Sequence, residues 1–160
     1  MSWVSDGTVK AQSALIWIPE HAPKNGVFKV WWTYEDPLEG VSLEDNGCHL
    51  RWQMEFKDGK RADGTSYGFF PTGQIRQIIT WKDDLMDGPN YQFHSNGIIN
   101  NQCHYRKGKE HGVWFKRDFD GTVENVQEWK DGELLWEGSH NPPHCRSWHL
   151  EQIELNGSTE

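Results

Sequence analysis

"GVWFKRDFDGTVENVQEWKDG", residues Gly112–Gly132, decides the fold. It opens on a glycine, meets Gly121 and then Trp129, and closes on Lys-Asp-Gly. The same landmarks recur upstream at a fixed interval. Gly64, Gly88 and Gly112 are 24 residues apart, as are Gly73, Gly97 and Gly121, and Trp81, Tyr105 and Trp129. Asp84, Gly108 and Gly132 complete the register. Four series holding one period mark a chain of small repeated units, each of which must stack on its neighbours to bury an apolar face.

Each unit reads as two short strands. The first strands are "TSYGFF", "PNYQFH" and "VWFKRD"; the turns "PTG", "SNG" and "FDG" follow, each with the glycine that a hairpin connection wants at positive φ. The second strands are "QIRQIITW", "IINNQCHY" and "TVENVQEW". Their period of two puts Ile75, Gln77, Ile79 and Trp81 on one face, and likewise Ile99, Asn101, Cys103 and Tyr105, then Val123, Asn125, Gln127 and Trp129. That face is expected to be buried and the opposite one mostly solvated. Upstream, "NGVFKVWWTY" reads as another second strand with Phe28, Val30, Trp32 and Tyr34 on one face. "NGCHLRWQMEF" gives Leu50, Trp52, Met54 and Phe56, with a bulge expected at Cys48–His49.

The expected fold is all-β: an open, single-layer antiparallel sheet of about five 24-residue β-hairpin repeats with capping segments. Residues 1–24 form an N-terminal cap or degenerate repeat, 25–138 the repeats, and 139–160 a C-terminal cap and tail.

Composition narrows the function classes. The chain has 160 residues, 24 Asp plus Glu against 16 Lys plus Arg, and a formal charge of −8. A nucleic-acid backbone or an anionic membrane surface would want a basic footprint, so neither is expected as a partner, whereas a basic protein is compatible. No stretch approaches a membrane span, and "MSWVSDGTVK" has no secretory pattern, so a cytoplasmic location is expected. Three cysteines, Cys48, Cys103 and Cys145, fit a reducing compartment. Ten Trp, seven Phe and four Tyr concentrate the apolar area in a few large side chains.

The run "YRKGKEHGVWFKRDFDG", residues 105–121, resembles a MORN-type repeat, and the trailing "EWKDG" is similar to the bacterial MORN variant whose members include YwqK-family antitoxin-like proteins. The resemblance covers Asn25 to Gly138. It implies an open sheet of hairpins serving as a protein-interaction scaffold, with no catalytic residues and no cofactor. Positions 84 and 136 depart from it, carrying Asp and Trp where the pattern has Gly.

The candidate site is a stripe. Gln77, Asn101 and Asn125 occupy one strand position in successive repeats, beside Trp81, Tyr105 and Trp129, whereas earlier repeats place Val30 and Trp52 there. Two readings stand: a groove in which amides and aromatics, including Trp52, meet a partner, or a ladder of amides bonding one another. The acids Asp83, Asp84 and Asp87 either shape turns or steer a basic partner. Tyr67, Phe69, Tyr91, Phe93 and Phe115 recur regularly and read as structural. His140, His144, Cys145 and His149 have a spacing that a zinc ion could use, without a second half-site to support it. The Cys-His pairs of "GCHLR" and "QCHYR" fall at different repeat positions and lack an orienting third group, so no enzyme is expected. The leading expectation is a protein-binding scaffold that sequesters or inhibits another protein. The alternative is a small-molecule or carbohydrate-binding module on the same aromatic stripe. Exposed sheet edges leave a homodimer open.

Overall fold

The computed structural model describes residues 3–5, 17–19, 22–34 and 41–139. Two short strands, β1 (Trp3–Ser5) and β2 (Trp17–Pro19), pair with each other in a separate sheet. The remaining strands form one antiparallel sheet: β3 (Gly26–Trp32), β4 (Val41–Ser42), β5 (Leu50–Lys57), β6 (Lys60–Arg61), β7 (Gly64–Phe69), β8 (Ile75–Lys82), β9 (Leu85–Met86), β10 (Gly88–Phe93), β11 (Ile99–Arg106), β12 (Lys109–Glu110), β13 (Gly112–Arg117), β14 (Val123–Lys130) and β15 (Glu133–Gly138). The main path runs β15-β14-β13-β11-β10-β8-β7-β5-β3-β4, so neighbours in sequence are neighbours in space and the sheet stays open. This is the expected all-β hairpin array. No helix among the described residues is long and apolar enough to cross a membrane.

The units are the hairpins β3/β5, β7/β8, β10/β11 and β13/β14, followed by β15 as a closing strand. The upstream register therefore differs from the sequence expectation. "GVFKVWW" is a first strand, with Gly26 opposite Phe56 as Gly64 is opposite Trp81, and Val30 lies across from Trp52 rather than in its repeat position. The expected bulge also moves. Every hairpin carries one where the second strand gains a residue, at Arg51, Arg76, Asn100 and Glu124, and none of these is apolar. A bulge at the same place in each unit adds local twist to the same degree along the array.

Two kinds of turn alternate. At one end, Gly73, Gly97 and Gly121 donate to the carbonyls of Phe70, His94 and Asp118 at 2.9 to 3.0 Å, which closes a hairpin loop with glycine at positive φ. At the other end, Asp58-Gly59, Asp83-Asp84, Lys107-Gly108 and Asp131-Gly132 all take positive φ at both positions, the type I′ geometry. Each of these turns is tied to the hairpin start beside it. The residue before the opening glycine (Asn25, Asp63, Asp87, His111) accepts a hydrogen bond from the backbone N–H of Asp58, Asp83, Lys107 and Asp131 respectively.

The two departures from the repeat pattern have structural causes. Asp84 holds the glycine position at φ 63°, and its carboxylate accepts from the Arg61 backbone N–H and Nε, both at 3.0 Å. The Arg61 side chain is buried, with its guanidinium 4.0 Å from the centre of the Trp81 ring. Trp136 lies opposite Glu128, on the reverse face of the sheet, and packs against Val113, Phe115 and Val126.

Burial changes face along the array. In the middle hairpins the expected face is the buried one: Ile79, Trp81, Met86 and Tyr105 form a cluster flanked by Trp52, Cys103 and Trp114. In the fourth hairpin the reverse face is the buried one, through Val113, Phe115 and Val126, with Glu128 and Arg117 buried alongside. The expectation of a solvated reverse face is corrected there, because Trp136 supplies the cover that a next repeat would give. Across β7, the Trp52 ring stands 3.1 Å from where a Gly68 side chain would begin, so any larger residue there would have to push the ring away.

Ile79 and Ile75 share a strand but lie on either side of its bulge, one buried and the other 39% exposed. In urea unfolding, Ile79→Ala is expected to cost about 2–4 kcal/mol and Ile75→Ala about 0.5 kcal/mol or less. Equal losses would contradict the assigned core.

Candidate functional site: an amide-lined groove

The cross-strand register draws single rows across the sheet. Trp52 pairs with Gly68, Gly68 with Gln77, Gln77 with Gln92, Gln92 with Asn101, Asn101 with Lys116, and Lys116 with Asn125. The next row brings Asn90 opposite Cys103 and Trp114 opposite Gln127, with Glu137 across from Gln127 on its other side. The repeat thus converts one strand position per unit into a continuous polar line. Around it lies a groove of about 270 Å³ lined by six carboxamides, those of Gln77, Asn90, Gln92, Asn101, Asn125 and Gln127, with Tyr105 and Trp114 among its walls.

The amides do not form a ladder among Gln77, Asn101 and Asn125. Asn101 Nδ2 donates to Gln92 Oε1 at 2.9 Å, inside its own hairpin. Asn125 Nδ2 and Gln127 Nε2 both donate to Glu137 Oε1, at 2.8 and 3.0 Å. Gln127 Oε1 accepts from Trp129 Nε1 at 3.1 Å. Asn90 is spent on the fold, accepting from the Thr80 backbone N–H at 2.8 Å and donating to Met86 Sδ at 3.2 Å. The Gln77 carboxamide has no side-chain hydrogen bond among the described residues and stays half-buried at the groove wall.

The aromatics divide. Trp81 is 3% exposed and donates to Ser66 Oγ at 2.9 Å, and Tyr105 is 6% exposed. Both rings are buried in the core cluster, and Tyr105 also lines the groove. Trp52 and Trp129 remain half-buried. Trp114, which no second-strand pattern could flag, stacks between Tyr105 and Trp129 at ring distances of 5.2 and 5.5 Å. The signal for Gln92 and Trp114 was present in the 24-residue register of the first strands, directly opposite the stripe, but glycine and serine occupy those positions in β7.

Among the expected acids, Asp84 and Asp87 are structural, bound to Arg61 and to the Lys107 backbone N–H. Asp83 is exposed, at a positive-φ turn position. Asp83 and Asp84 form a type I′ turn and Asp87 is bonded to the next one, and none of the three lines the groove. His140, His144, Cys145 and His149 lie outside the described residues. Among the described residues no three His, Cys, Asp or Glu side chains are placed to hold a metal ion.

Cys103 lies in the groove lining, where desolvation, reinforced by the Glu110 charge, pushes its thiol up to about 12. A thiol of that pKa is protonated at neutral pH and is no nucleophile. Burial raises the Tyr105 phenol as well. Glu137 moves the other way, held below its ordinary value by the Asn125 and Gln127 hydrogen bonds.

Residues 62–83 match the MORN repeat variant family. This span covers β7 and β8, and with the hairpin order it supports a MORN-type repeat protein. No curated protein and no solved structure matches the chain. MORN repeats are generally associated with binding or scaffold roles.

Two outcomes follow from this geometry. Asp84→Ala, which strips a buried guanidinium of its carboxylate, is expected to cost about 2–3 kcal/mol; Asp83→Ala, which only places Ala in left-handed backbone, costs about 1 kcal/mol. Urea titrations of the two variants decide the order. Second, stability is expected to be full below pH 9.0, the ordinary thiol value, and to fall as pH rises toward about 12. Over that window the unfolded chain releases a proton that folded Cys103 keeps. Cys103→Ser flattens this decline in pH-dependent thermal melts; an unchanged decline would contradict the desolvated thiol.

Proposed function

We propose that this chain is a non-enzymatic protein-binding scaffold that sequesters or inhibits another protein, in the manner of a YwqK-family antitoxin, an immunity protein or a phage-type inhibitor. The observation that carries the reading is the groove, a polar line of carboxamides and Lys116 beside half-buried indoles on a sheet that the repeat holds in register. Amides donate and accept without carrying charge, so they can bond an extended partner segment at low desolvation cost, while indoles supply rigid contact area. Binding is by occlusion, with no bond made or broken. Free Cys48 and Cys103 thiols support action in the cytoplasm. The net charge of −8 suits a basic partner.

A neutral sugar is the second reading, favoured by Trp114 standing in the same wall as the carboxamides. Affinity capture followed by titration with the purified captured protein separates the two. Gln77→Arg, at the groove wall, is expected to weaken that protein's binding by about tenfold or more, while Thr65→Ala, exposed on the reverse face, leaves it unchanged. Equal affinities would remove the groove from the interface. Binding of a neutral oligosaccharide, abolished by Gln77→Arg, would favour the second reading.

A further inference from the structure

Glu137 differs from the other acids of the chain. It lies on β15 directly across from Gln127, so its side chain belongs to the groove face. Two carboxamides fix the same oxygen, Asn125 Nδ2 and Gln127 Nε2 on Oε1, and no hydrogen bond to Oε2 exists among the described residues. Gln127 also accepts from the Trp129 indole, whose ring is 5.5 Å from that of Trp114. The result is an oriented, exposed carboxylate on the sheet face that also carries the two indoles. Asn125, Gln127 and Trp114 line the groove, which otherwise offers neutral amides. The one lysine in that lining, Lys116, is paired with Glu124 at 3.4 Å.

A side chain that matches this corner must carry positive charge, present a flat face to an indole and direct N–H groups at a carboxylate oxygen. The guanidinium group meets all three requirements, whereas an ammonium lacks the flat face. We propose that the corner formed by Glu137, Trp129 and Trp114 receives an arginine side chain of the protein partner, while the flanking backbone of that segment lies over the carboxamides. This rests on the protein-binding reading above. The hydrogen bonds that lower the Glu137 pKa keep the carboxylate charged at neutral pH.

The test is a ¹H–¹⁵N NMR titration of the full chain with acetyl-Gly-Arg-Gly-amide, following the indole N–H groups of Trp114 and Trp129 and the side-chain amides of Asn125 and Gln127. A citrulline peptide of the same shape but no charge is the control. Saturable shifts confined to these groups are expected with the arginine peptide, about tenfold weaker with citrulline and equally weakened by Glu137→Gln. Gln keeps a carbonyl acceptor for Asn125 and Gln127, so the remaining spectrum reports whether the variant is folded. Equal shifts with the two peptides, or no saturable shift, would overturn the arginine site. A captured protein that binds Glu137→Gln as tightly as the wild type would also overturn it and leave the scaffold reading standing. If no protein is captured while the arginine peptide still titrates the corner, the site holds and the scaffold reading fails.

Discussion

A sheet one strand thick has no facing layer in which to hide its apolar side chains. Every other feature of this protein answers that constraint. Burial has to come from side chains long enough to lie across the neighbouring hairpin, which is why the apolar content sits in Trp, Tyr and Phe. Trp52 covers Gly68 of the next unit. Trp81 and Tyr105 fill the centre, with Trp114 and Trp129 continuing the run toward the last strand. Where the repeats stop, Trp136 folds onto the reverse face and covers Val113, Phe115 and Val126. Hydrogen bonds from each type I′ turn to the residue before the opening glycine then tie the end of each hairpin back to its own start.

The same arithmetic builds the site. Because one position per unit repeats in strict register, a polar residue placed there becomes a row, and the row becomes the wall of a groove. A single-layer sheet can carry such a row at little cost in stability, since amides at a half-buried surface keep partners or water. The row is polar only where the large rings lie beside it in the neighbouring row and carry the core. In the first hairpin the equivalent residues are Val30 and Trp52, and the face is closed. Core and groove therefore share one face of the sheet, divided by strand position.

Much of this was legible in the residues. The 24-residue period of Gly64, Gly88 and Gly112 gave hairpins, turns and face assignments for the middle units. The first unit was misread because "VFKVWWTY" ends in aromatics, as second strands do here, and its long loop hides the period. Only pairing, Gly26 opposite Phe56, tells a first strand from a second. Periodicity assigns Trp81 and Tyr105 a face, not a depth, so their burial was not legible. The Asp84–Arg61 pair joins residues 23 apart across a turn, and nothing local announces it. Glu137 was invisible for the same reason, since its importance comes from lying across from Gln127. The reversal of burial in the fourth hairpin was likewise hidden, because Val113 and Val126 look no different from half-exposed strand valines until Trp136 covers them.

The central claim is that the amide-lined face of the sheet engages the partner. Hydroxyl-radical footprinting of the full chain, alone and with its captured protein, reads this directly. The account predicts protection of Trp114 and Trp129, with Tyr67 on the reverse face oxidised to the same extent in both samples. Protection of Tyr67 with Trp114 and Trp129 unchanged would place the partner on the other face and contradict it.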